Sequence, residues 1–301
     1  MKIALTGASG FLGPLFVQRL LEKGYGVHVL ARDVERTLGR LPKGVSGAFY
    51  DAARPLPPDA LGGAEAVVHL AGEPVAQRWT ESARQRILDS RVMGTRLLVE
   101  AMRAAGTVRH FVSASAIGYY GGKRGAEPLT ESSAPGDDFL ARVCHAWEAE
   151  AQPAATAGIR TVVARIGVVL HPEGGALEQM LPAFRLGVGG RMGSGQQYMS
   201  WVHRDDTLGL LLFALEQPEL TGPLNVTAPE PVTNADFSRA LGAALHRPAV
   251  LPVPAFALKA ALGEMSEVVL GGQRVLPRRA LEASYRFQHP ELPAALRTLV
   301  G

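Results

Sequence analysis

The feature that most constrains this chain is a glycine-rich turn close to its N-terminus. Gly7, Gly10 and Gly13 stand between an apolar segment, residues 2–6, and an amphipathic stretch whose leucines recur at helical spacing. Three such glycines between a strand and a helix let the backbone approach a pyrophosphate, and the helix N-terminus adds a partial positive charge there. An ordinary strand-to-helix turn is the alternative, but the flanking strand and helix favour a dinucleotide-binding turn.

Apolar segments alternate with helical patterns along the first half of the chain. The predicted strands cover residues 2–6, 27–30, 47–50, 66–70, 111–115 and 161–165, and the two longest helical patterns cover 81–105 and 139–157. This alternation predicts an α/β fold with a Rossmann-like, doubly wound parallel sheet. After residue 168 the pattern changes to glycine-rich loops and helices punctuated by proline. We therefore expect a nucleotide-binding domain over 1–168, with some later segments returning to it, and a smaller substrate-binding lobe over 169–301.

The end of the second predicted strand indicates which dinucleotide fits. Where NAD-binding proteins carry an acidic residue for the ribose 2′-hydroxyl, this chain has Ala31 followed by Arg32. A guanidinium group binds a 2′-phosphate through two hydrogen bonds, and no carboxylate stands at the acidic position to repel it. Arg32 pairing with Asp33 or Glu35 at the surface is the alternative, and such a contact is worth little. We expect the cofactor to be NADP(H).

Charge and cysteine content narrow the class of protein further. The formal net charge is +3, but the arginines are scattered and form no basic run, which argues against nucleic-acid binding. The single cysteine, Cys144, cannot form an internal disulfide, and with only His145 beside it no cluster has the spacing of metal ligands. No apolar run approaches the ~20 residues that span a bilayer. We expect a cytoplasmic protein without a metal site and without membrane or nucleic-acid partners.

Motifs along the chain resemble the extended short-chain dehydrogenase/reductase superfamily. They lie at residues 6–13, 69–72, 91–95, 112–115, 165–169 and 201–206. Other segments are similar to the atypical branch called epimerase family proteins, or sugar-nucleotide-epimerase-like proteins. They lie at residues 69–74, 78–79, 113–121, 136–140, 182–187, 251–254 and 271–277. The resemblance implies NADP(H) binding, an unassigned substrate, homodimerisation through helices flanking the sheet, and a C-terminal family-specific segment, here 249–296.

The resemblance also implies where acid–base chemistry would lie. Typical members carry a Tyr-x-x-x-Lys pair on a helix, and the tyrosine exchanges a proton with the substrate. Aligned through Trp147 and Glu148, this chain has Leu140 at the tyrosine position and Cys144 at the lysine position. Neither side chain can do that work. A supporting asparagine of the family is replaced by Arg91, which we expect to contact the cofactor.

Candidate catalytic groups remain at the end of the fifth predicted strand. Ser115 matches the family serine, and Tyr119 is a candidate replacement for the missing tyrosine, with a packed structural aromatic as the alternative. Glu73 is a further acid–base candidate near the same crevice. We expect Asp205 and Asp206 to act as a helix cap and first-turn charge. The lone histidines His28 and His69 are expected to be structural.

Cofactor contacts are expected along the whole crevice. The predicted contacts are Gly7, Ser9, Gly10, Phe11, Leu12, Gly13, Arg32, Leu70, Ala71, Gly72, Arg86, Arg91, Ser113 and Val169. The candidates for the substrate side are Arg78, Trp79, Trp201 and the loop 193–198.

Two hypotheses about function follow. The first is an NADP(H)-dependent oxidoreductase or epimerase-like enzyme that acts on a small molecule, such as a nucleotide sugar or another carbonyl or hydroxyl compound. The second is a non-catalytic NADP(H)-binding sensor or regulatory protein, which the residues at 140 and 144 favour. A purely structural interaction module is a third hypothesis, but it leaves the glycine turn and Arg32 unexplained.

Overall fold

The chain forms a parallel sheet with helices on both faces, followed by a second group of elements packed at its carboxyl-end edge. The computed structural model describes residues 1–301. The strands are β1 Lys2–Thr6, β2 Gly26–Ala31, β3 Ser46–Phe49, β4 Ala66–His69, β5 His110–Ala116, β6 Lys123–Leu129, β7 Arg160–Ile166, β8 Val168–His171, β9 Tyr198–Met199, β10 Trp201–His203, β11 Gly222–Val226, β12 Val232–Thr233 and β13 Gly272–Val275. The helices are α1 Gly13–Glu22, α2 Val34–Leu38, α3 Glu81–Ala105, α4 Phe139–Thr156, α5 Gly175–Arg185, α6 Arg204–Glu216, α7 Asn234–Ala244, α8 Ala255–Leu262, α9 Ser266–Leu270, α10 Arg278–Glu282 and α11 Leu292–Val300. No helix combines the length and the apolar character that crossing a membrane requires.

The central sheet has seven strands in the order β11-β7-β5-β4-β1-β2-β3, and every neighbouring pair is parallel. Strand β1 lies between β2 and β4, so the chain leaves it in one direction and later returns on its other side. In such sheets a crevice opens at the carboxyl ends of the strands where the winding reverses. The predicted doubly wound, Rossmann-like fold is confirmed.

Both faces of the sheet are covered, which explains why its strands are nearly continuous apolar runs. On one face Leu5 packs in a core with Phe16 of α1 and Leu208 of α6. On the other face Val67 packs in a core with Leu98 of α3. All five side chains are fully buried, and each contributes roughly 1.5–3 kcal/mol relative to an exposed position.

The later part of the chain builds three two-stranded sheets and a third core. The pairs are β8 with β10, β6 with β13, and β9 with β12. Strand β6 was not anticipated from the sequence, and it pairs with β13 nearly 150 residues later in the chain. Strand β11 lies at the edge of the central sheet, so chain beyond residue 168 does return to it. The domain boundary at 168 stays a prediction.

The C-terminal segment is joined to the rest by buried polar groups. The Asn225 amide donates to the Leu276 carbonyl at 2.9 Å. The Ser200 hydroxyl donates to the Gln273 carbonyl at 2.7 Å and accepts the Val275 N–H at 2.8 Å. Because these groups are buried, losing either partner would leave an unsatisfied polar atom.

The N-terminus of α6 differs from its prediction. The cap is His203, whose Nδ1 accepts the Asp205 N–H at 3.0 Å. The aspartates lie in the first turn, so their expected first-turn position is confirmed and a capping role for them is wrong. Asp206 is 1% exposed, and its carboxylate accepts the N–H groups of Gln288 and His289, both at 2.8 Å. It therefore anchors the loop that precedes α11.

Candidate functional site

The glycine turn joins β1 to α1 and leaves no room for side chains. Gly7 has φ +77°, and a Cβ there would lie 2.8 Å from the carbonyl carbon of Leu70. A Cβ at Gly13 would lie 2.3 Å from the Gly7 carbonyl oxygen. The Gly10 N–H closes the turn by donating to the same oxygen at 3.0 Å. Helix α1 begins at Gly13, so its unpaired N–H groups lie beside the turn.

A cavity of about 1030 Å³ opens over this turn, at the upper end of the range for ligand pockets. Eight predicted cofactor residues line it, namely Gly7, Ser9, Gly10, Arg32, Leu70, Ala71, Gly72 and Arg86. Six others lie outside its walls, namely Phe11, Leu12, Gly13, Arg91, Ser113 and Val169. Lining residues that sequence reasoning missed include Arg36, Thr37, Arg40, Tyr50, Asp51, Ala52, Asp89, Ser90 and Met93.

Three arginines line the cavity beyond the end of β2. Arg32, Arg36 and Arg40 are all exposed, and none of their side chains forms an ion pair or a hydrogen bond within the chain. The alternative in which Arg32 pairs with Asp33 or Glu35 is not observed. The Asp33 carboxylate instead accepts the Arg36 N–H at 3.0 Å as the N-cap of α2. Three unpaired cations on one wall are suited to a phosphate.

The floor of the cavity is fixed by a threonine and a histidine. The Thr6 hydroxyl accepts the N–H groups of Leu70 and Ala71, both at 3.1 Å, and lies 2.7 Å from His69 Nδ1. The hydroxyl proton therefore points at Nδ1, which makes the ring a neutral acceptor. Burial lowers the pKa of His69 to about 3. His28 likewise bonds a serine hydroxyl and a backbone carbonyl, so the structural role predicted for both histidines is confirmed.

The loop after β4 is held against α3 by polar contacts on the cavity wall. Arg86 Nε lies 3.6 Å from Glu73 Oε1, and the Gln77 amide donates to the same oxygen at 3.3 Å. The Glu73 N–H donates to the Ser90 hydroxyl at 3.0 Å. A carboxylate and a guanidinium group thus face the cavity as a pair.

Arg91 lies behind Gly72 rather than on the cavity wall. A Cβ at Gly72 would lie 3.1 Å from the guanidinium carbon. One nitrogen donates to the carbonyls of Glu73 and Ile87, at 3.0 and 3.1 Å, and the guanidinium carbon lies 5.1 Å from the centre of the Trp147 ring. Burial lowers the pKa of Arg91. The arrangement places a half-buried cation between α3, α4 and the loop after β4.

Ser115, near the end of β5, belongs to a buried charged network. Its hydroxyl donates to Glu148 Oε1 at 2.7 Å, and Arg165 holds the same carboxylate through bonds of 2.9 and 2.8 Å. Burial alone would lower the pKa of Arg165, but the hydrogen bonds and the charge of Glu148 raise that pKa. Because the Ser115 proton points at a carboxylate, only the oxygen lone pairs are left for another partner. Ser113 is 1% exposed, and its hydroxyl donates a hydrogen bond to the Ala114 carbonyl at 3.3 Å.

Two adjacent tyrosines follow Ser115 and differ in role. The Tyr120 hydroxyl donates to Asn225 Oδ1 at 2.7 Å and accepts from Arg165 at 3.0 Å. Burial raises the pKa of Tyr120 to about 12. Tyr119 packs its ring face on the Arg165 guanidinium, 3.5 Å from carbon to ring centre, and its hydroxyl makes no hydrogen bond within the chain. Tyr120 is the structural member of the pair.

The two helix positions that typical family members use for proton transfer face the segment after β5. A Cβ at Gly118 would lie 3.3 Å from Leu140 Cβ and 3.6 Å from Cys144 Sγ. Burial raises the pKa of the Cys144 thiol to about 12, so the thiol stays protonated near neutral pH. The two positions therefore lie beside the segment that follows Ser115 but carry no group that exchanges a proton near neutral pH.

Three predicted cofactor contacts lie where α1 meets the second half of the chain. The Phe11 ring covers Gly174, where a Cβ would lie 2.2 Å from it, and stands 6.2 Å from the His171 ring. Leu12 is the N-cap residue of α1, and Val169 lies within β8. These residues border the turn without lining the cavity.

The substrate-side candidates separate into buried and exposed groups. Trp201 is 0% exposed within the third core, so its prediction as a crevice residue is wrong. Trp79 is 8% exposed and packs edge-on against Phe139 at 5.0 Å, whereas Arg78 is exposed. The loop 193–198 is bound to α7 and α9 by hydrogen bonds.

The family comparisons cover most of the chain. Residues 3–226 match the NAD dependent epimerase/dehydratase family, and residues 253–299 match a domain of unknown function, DUF1731. An epimerase family protein SDR39U1 homolog, chloroplastic, from Arabidopsis thaliana is 40% identical over 303 residues, spanning 100% of this chain and 87% of that protein.

Two solved structures extend the comparison. The crystal structure of human epimerase family protein SDR39U1 with NADPH is 35% identical, with a TM-score of 0.86 and coverage of 100% of this chain and 99% of that one. A nucleoside-diphosphate sugar epimerase from Corynebacterium glutamicum is 33% identical with a TM-score of 0.81, and the match covers 100% of this chain and 58% of that one. The resemblance seen in the sequence is confirmed. The chain belongs to the NAD dependent epimerase/dehydratase family, within the branch of epimerase family proteins that ends in DUF1731.

Proposed function

We propose that this chain is an NADP(H)-binding, epimerase-like protein of the atypical extended short-chain dehydrogenase/reductase type. The pyrophosphate would lie on the turn from Gly7 to Gly13, where side chains at Gly7 or Gly13 would clash with the neighbouring backbone. The N–H groups at the start of α1 would bind its oxygens. The NADPH named in the human relative's structure, at 35% identity over the full chain, supports the same cofactor.

The observation that carries this proposal is the arginine wall beyond β2. Arg32, Arg36 and Arg40 are exposed, unpaired and on one side of the cavity. The 2′-phosphate of NADPH would give them a dianionic partner that NADH lacks. Since a hydrogen bond to a charged group contributes roughly 1.5–3 kcal/mol, a single well-formed contact accounts for a tenfold preference.

Further cofactor contacts follow from the polar groups behind the turn. We assign Arg86 to the cavity wall near the pyrophosphate and Arg91 to a supporting position behind Gly72. Two nitrogens of the Arg91 guanidinium group make no bond within the chain, so they are available to a ribose or phosphate oxygen. Arg91 would then provide the positive charge that lysine provides in typical family members, where this chain has Cys144.

The proposed reaction is oxidoreduction of a small molecule that carries a hydroxyl or carbonyl group. When bound, the cofactor supplies or accepts a hydride. Ser115 would accept a hydrogen bond from the substrate hydroxyl, because its own proton is directed at Glu148. Tyr119, whose hydroxyl has no partner within the chain, would exchange the proton. The name of the Corynebacterium relative supports a nucleotide sugar as the substrate class.

A second candidate function is a non-catalytic NADP(H)-binding sensor. The observation in its favour is that Leu140 and Cys144 occupy the usual acid–base positions, and that the thiol, with its pKa near 12, stays protonated. Such a protein would bind NADPH and NADP⁺ with different affinities and change shape or partner without turnover.

Fluorescence titration with NADPH and NADH tests the cofactor proposal. The chain should prefer NADPH, and Arg32→Ala should reduce that preference about tenfold while leaving NADH affinity unchanged. Arg103→Ala, an exposed arginine in the last turn of α3, is the matched control. An unchanged preference in Arg32→Ala would remove the argument from the arginine wall, and no binding of either dinucleotide would remove the proposal.

Single-turnover measurements separate enzyme from sensor. Protein with bound NADPH is mixed with a panel of carbonyl compounds, protein with bound NADP⁺ is mixed with a panel of nucleotide sugars, and the oxidation or reduction of the cofactor is followed by absorbance. Turnover that is lost in Ser115→Ala identifies an enzyme. Tight binding without turnover, combined with unequal affinities for NADPH and NADP⁺, identifies a sensor.

We also infer a cytoplasmic homodimer that does not bind nucleic acid. These inferences rest on the sequence, namely a scattered basic charge and a single cysteine, and on family resemblance. Light scattering coupled to size-exclusion chromatography tests the dimer, and a dilute-solution mass equal to one chain would contradict it.

A further inference from the structure

Three side chains with metal-binding chemistry meet where the C-terminal segment packs on α6. His203 ends β10, Asp205 lies in the first turn of α6, and His289 lies in the loop before α11. One ligand atom from each lies within 4.8 Å of the other two. None of the three lines the cavity over the glycine turn, so the cluster is separate from the proposed cofactor site.

Buried backbone contacts, rather than the imidazole itself, bring His289 to this cluster. The Asp206 carboxylate accepts the N–H groups of Gln288 and His289, both at 2.8 Å. The His289 ring makes no hydrogen bond within the chain, so both of its nitrogens are available. The backbone of the loop is therefore held in place, whereas the His289 imidazole forms no hydrogen bond that stabilises the fold.

The two imidazoles stack with centroids 3.7 Å apart and planes 28° from parallel. Two imidazolium cations at that distance would repel, so at least one ring is neutral and offers a lone pair. His203 Nδ1 accepts the Asp205 N–H at 3.0 Å, which shows that this nitrogen carries no proton. A metal at Nδ1 would take the place of that single neutral hydrogen bond.

Asp205 supplies the oxygen of the cluster. Arg19 holds Oδ1 at 2.5 Å, whereas Oδ2 lies 3.7 Å from His203 Nδ1 and 3.9 Å from His289 Nε2. Both separations exceed hydrogen-bond length. They are only slightly longer than the ligand–ligand spacing of about 3.4 Å that follows from tetrahedral metal bonds of about 2.1 Å. Because a metal ion lies in the plane of each imidazole that binds it, the His289 ring would turn out of the stack on His203 when the three atoms close on one ion.

We propose that His203, Asp205 and His289 form a binding site for a divalent cation of the zinc class. Two imidazoles and one carboxylate are a zinc ligand set that leaves a fourth position open, whereas magnesium and calcium prefer oxygen ligands alone. The ion would fasten the loop before α11 to the start of α6. The sequence predicts no metal site because the two histidines lie far apart along the chain.

The test is titration of chelator-treated, buffer-exchanged protein with zinc by calorimetry and with cobalt by visible absorption. We expect one ion per chain, the intense visible bands of low-coordinate cobalt, and a zinc-dependent rise in melting temperature. His289→Ala should weaken zinc binding at least tenfold, and Asp205→Asn should do the same. His246→Asn is the matched control, because His246 is exposed and asparagine tolerates its φ of +53°.

The outcome in His289→Ala decides the proposal. This variant keeps the backbone bonds to Asp206, so it should fold, and its melting temperature without metal checks that it does. Absence of stoichiometric zinc binding by the unaltered chain, or zinc affinity unchanged in His289→Ala, would overturn the site. If Asp205→Asn unfolds through loss of its contact with Arg19, the histidine variant is sufficient alone.

Discussion

Replacing His69 by asparagine should flatten the acid side of the stability profile. Burial lowers the pKa of His69 to about 3, against an ordinary value of 6.5. Below pH 6.5 the unfolded chain therefore binds a proton that the folded ring does not, and stability that is complete above pH 6.5 is lost as the pH falls towards 3. The two pKa values give a loss of about 2 kcal/mol at pH 5 relative to pH 7.5. Asparagine offers Thr6 an acceptor that does not titrate.

The measurement is urea unfolding at a series of pH values between 7.5 and 5. Other histidines also titrate, and burial lowers the pKa of His203 to about 4, so the informative quantity is the difference between His69→Asn and the unaltered chain. That difference should shrink by about 2 kcal/mol as the pH falls. His246→Asn, at an exposed histidine, should leave the profile unchanged. Parallel profiles for His69→Asn and the unaltered chain would refute the assignment of a neutral, buried ring.

Two further predictions concern the cofactor site. Arg91→Met should weaken NADPH binding about tenfold, which corresponds to the loss of one hydrogen bond to a charged group. Adding Cys144→Lys to this variant should restore part of the affinity. Fluorescence titration that finds no loss of affinity in Arg91→Met would contradict the role of Arg91 in cofactor binding. Gly13→Ala should abolish NADPH binding and lower stability by more than about 2 kcal/mol, because its Cβ meets backbone at 2.3 Å. Gly24→Ala is the control, because Gly24 has an unfavourable φ of +78° but its Cβ would meet nothing within 4 Å. It should cost only about 1 kcal/mol and keep binding, and equal effects of the two variants in thermal melts would show that crowding at the turn is not the cause.

The nucleotide-binding half could be predicted because its signals are local. A turn such as Gly7 to Gly13 is defined by residues next to one another, and the strand before it and the helix after it are visible in the same window. Helix α3 begins and ends where the pattern predicts, since Thr80 caps its start and Gly106 adopts a left-handed conformation at its end. Arg32 was predicted for the same reason, at a fixed distance from the glycines.

The parts that sequence reasoning missed depend on contacts between distant segments. Strand β6 is largely polar and exposed, and its partner in the sheet is β13, far along the chain. Glu148 carries no signal of its own, since its role comes from meeting Ser115 and Arg165 across the sheet. Trp201 illustrates the converse, because an aromatic side chain near a predicted crevice is equally compatible with a core, and burial alone decides which.

The replacements at the acid–base positions are linked by their surroundings. Leu140 and Cys144 remove a proton donor and a cation from α4, and Arg91 supplies a cation from α3 instead. One turn beyond Cys144, Glu148 takes the Ser115 proton into a buried ion pair, which fixes that serine as an acceptor. In the proposed function, groups other than the usual ones would therefore preserve cofactor binding and serine orientation, and the proton step alone would lack a replacement with a fixed partner. In the proposed reaction the proton step thus depends on Tyr119, because its hydroxyl, unlike that of Tyr120, has no hydrogen-bond partner within the chain.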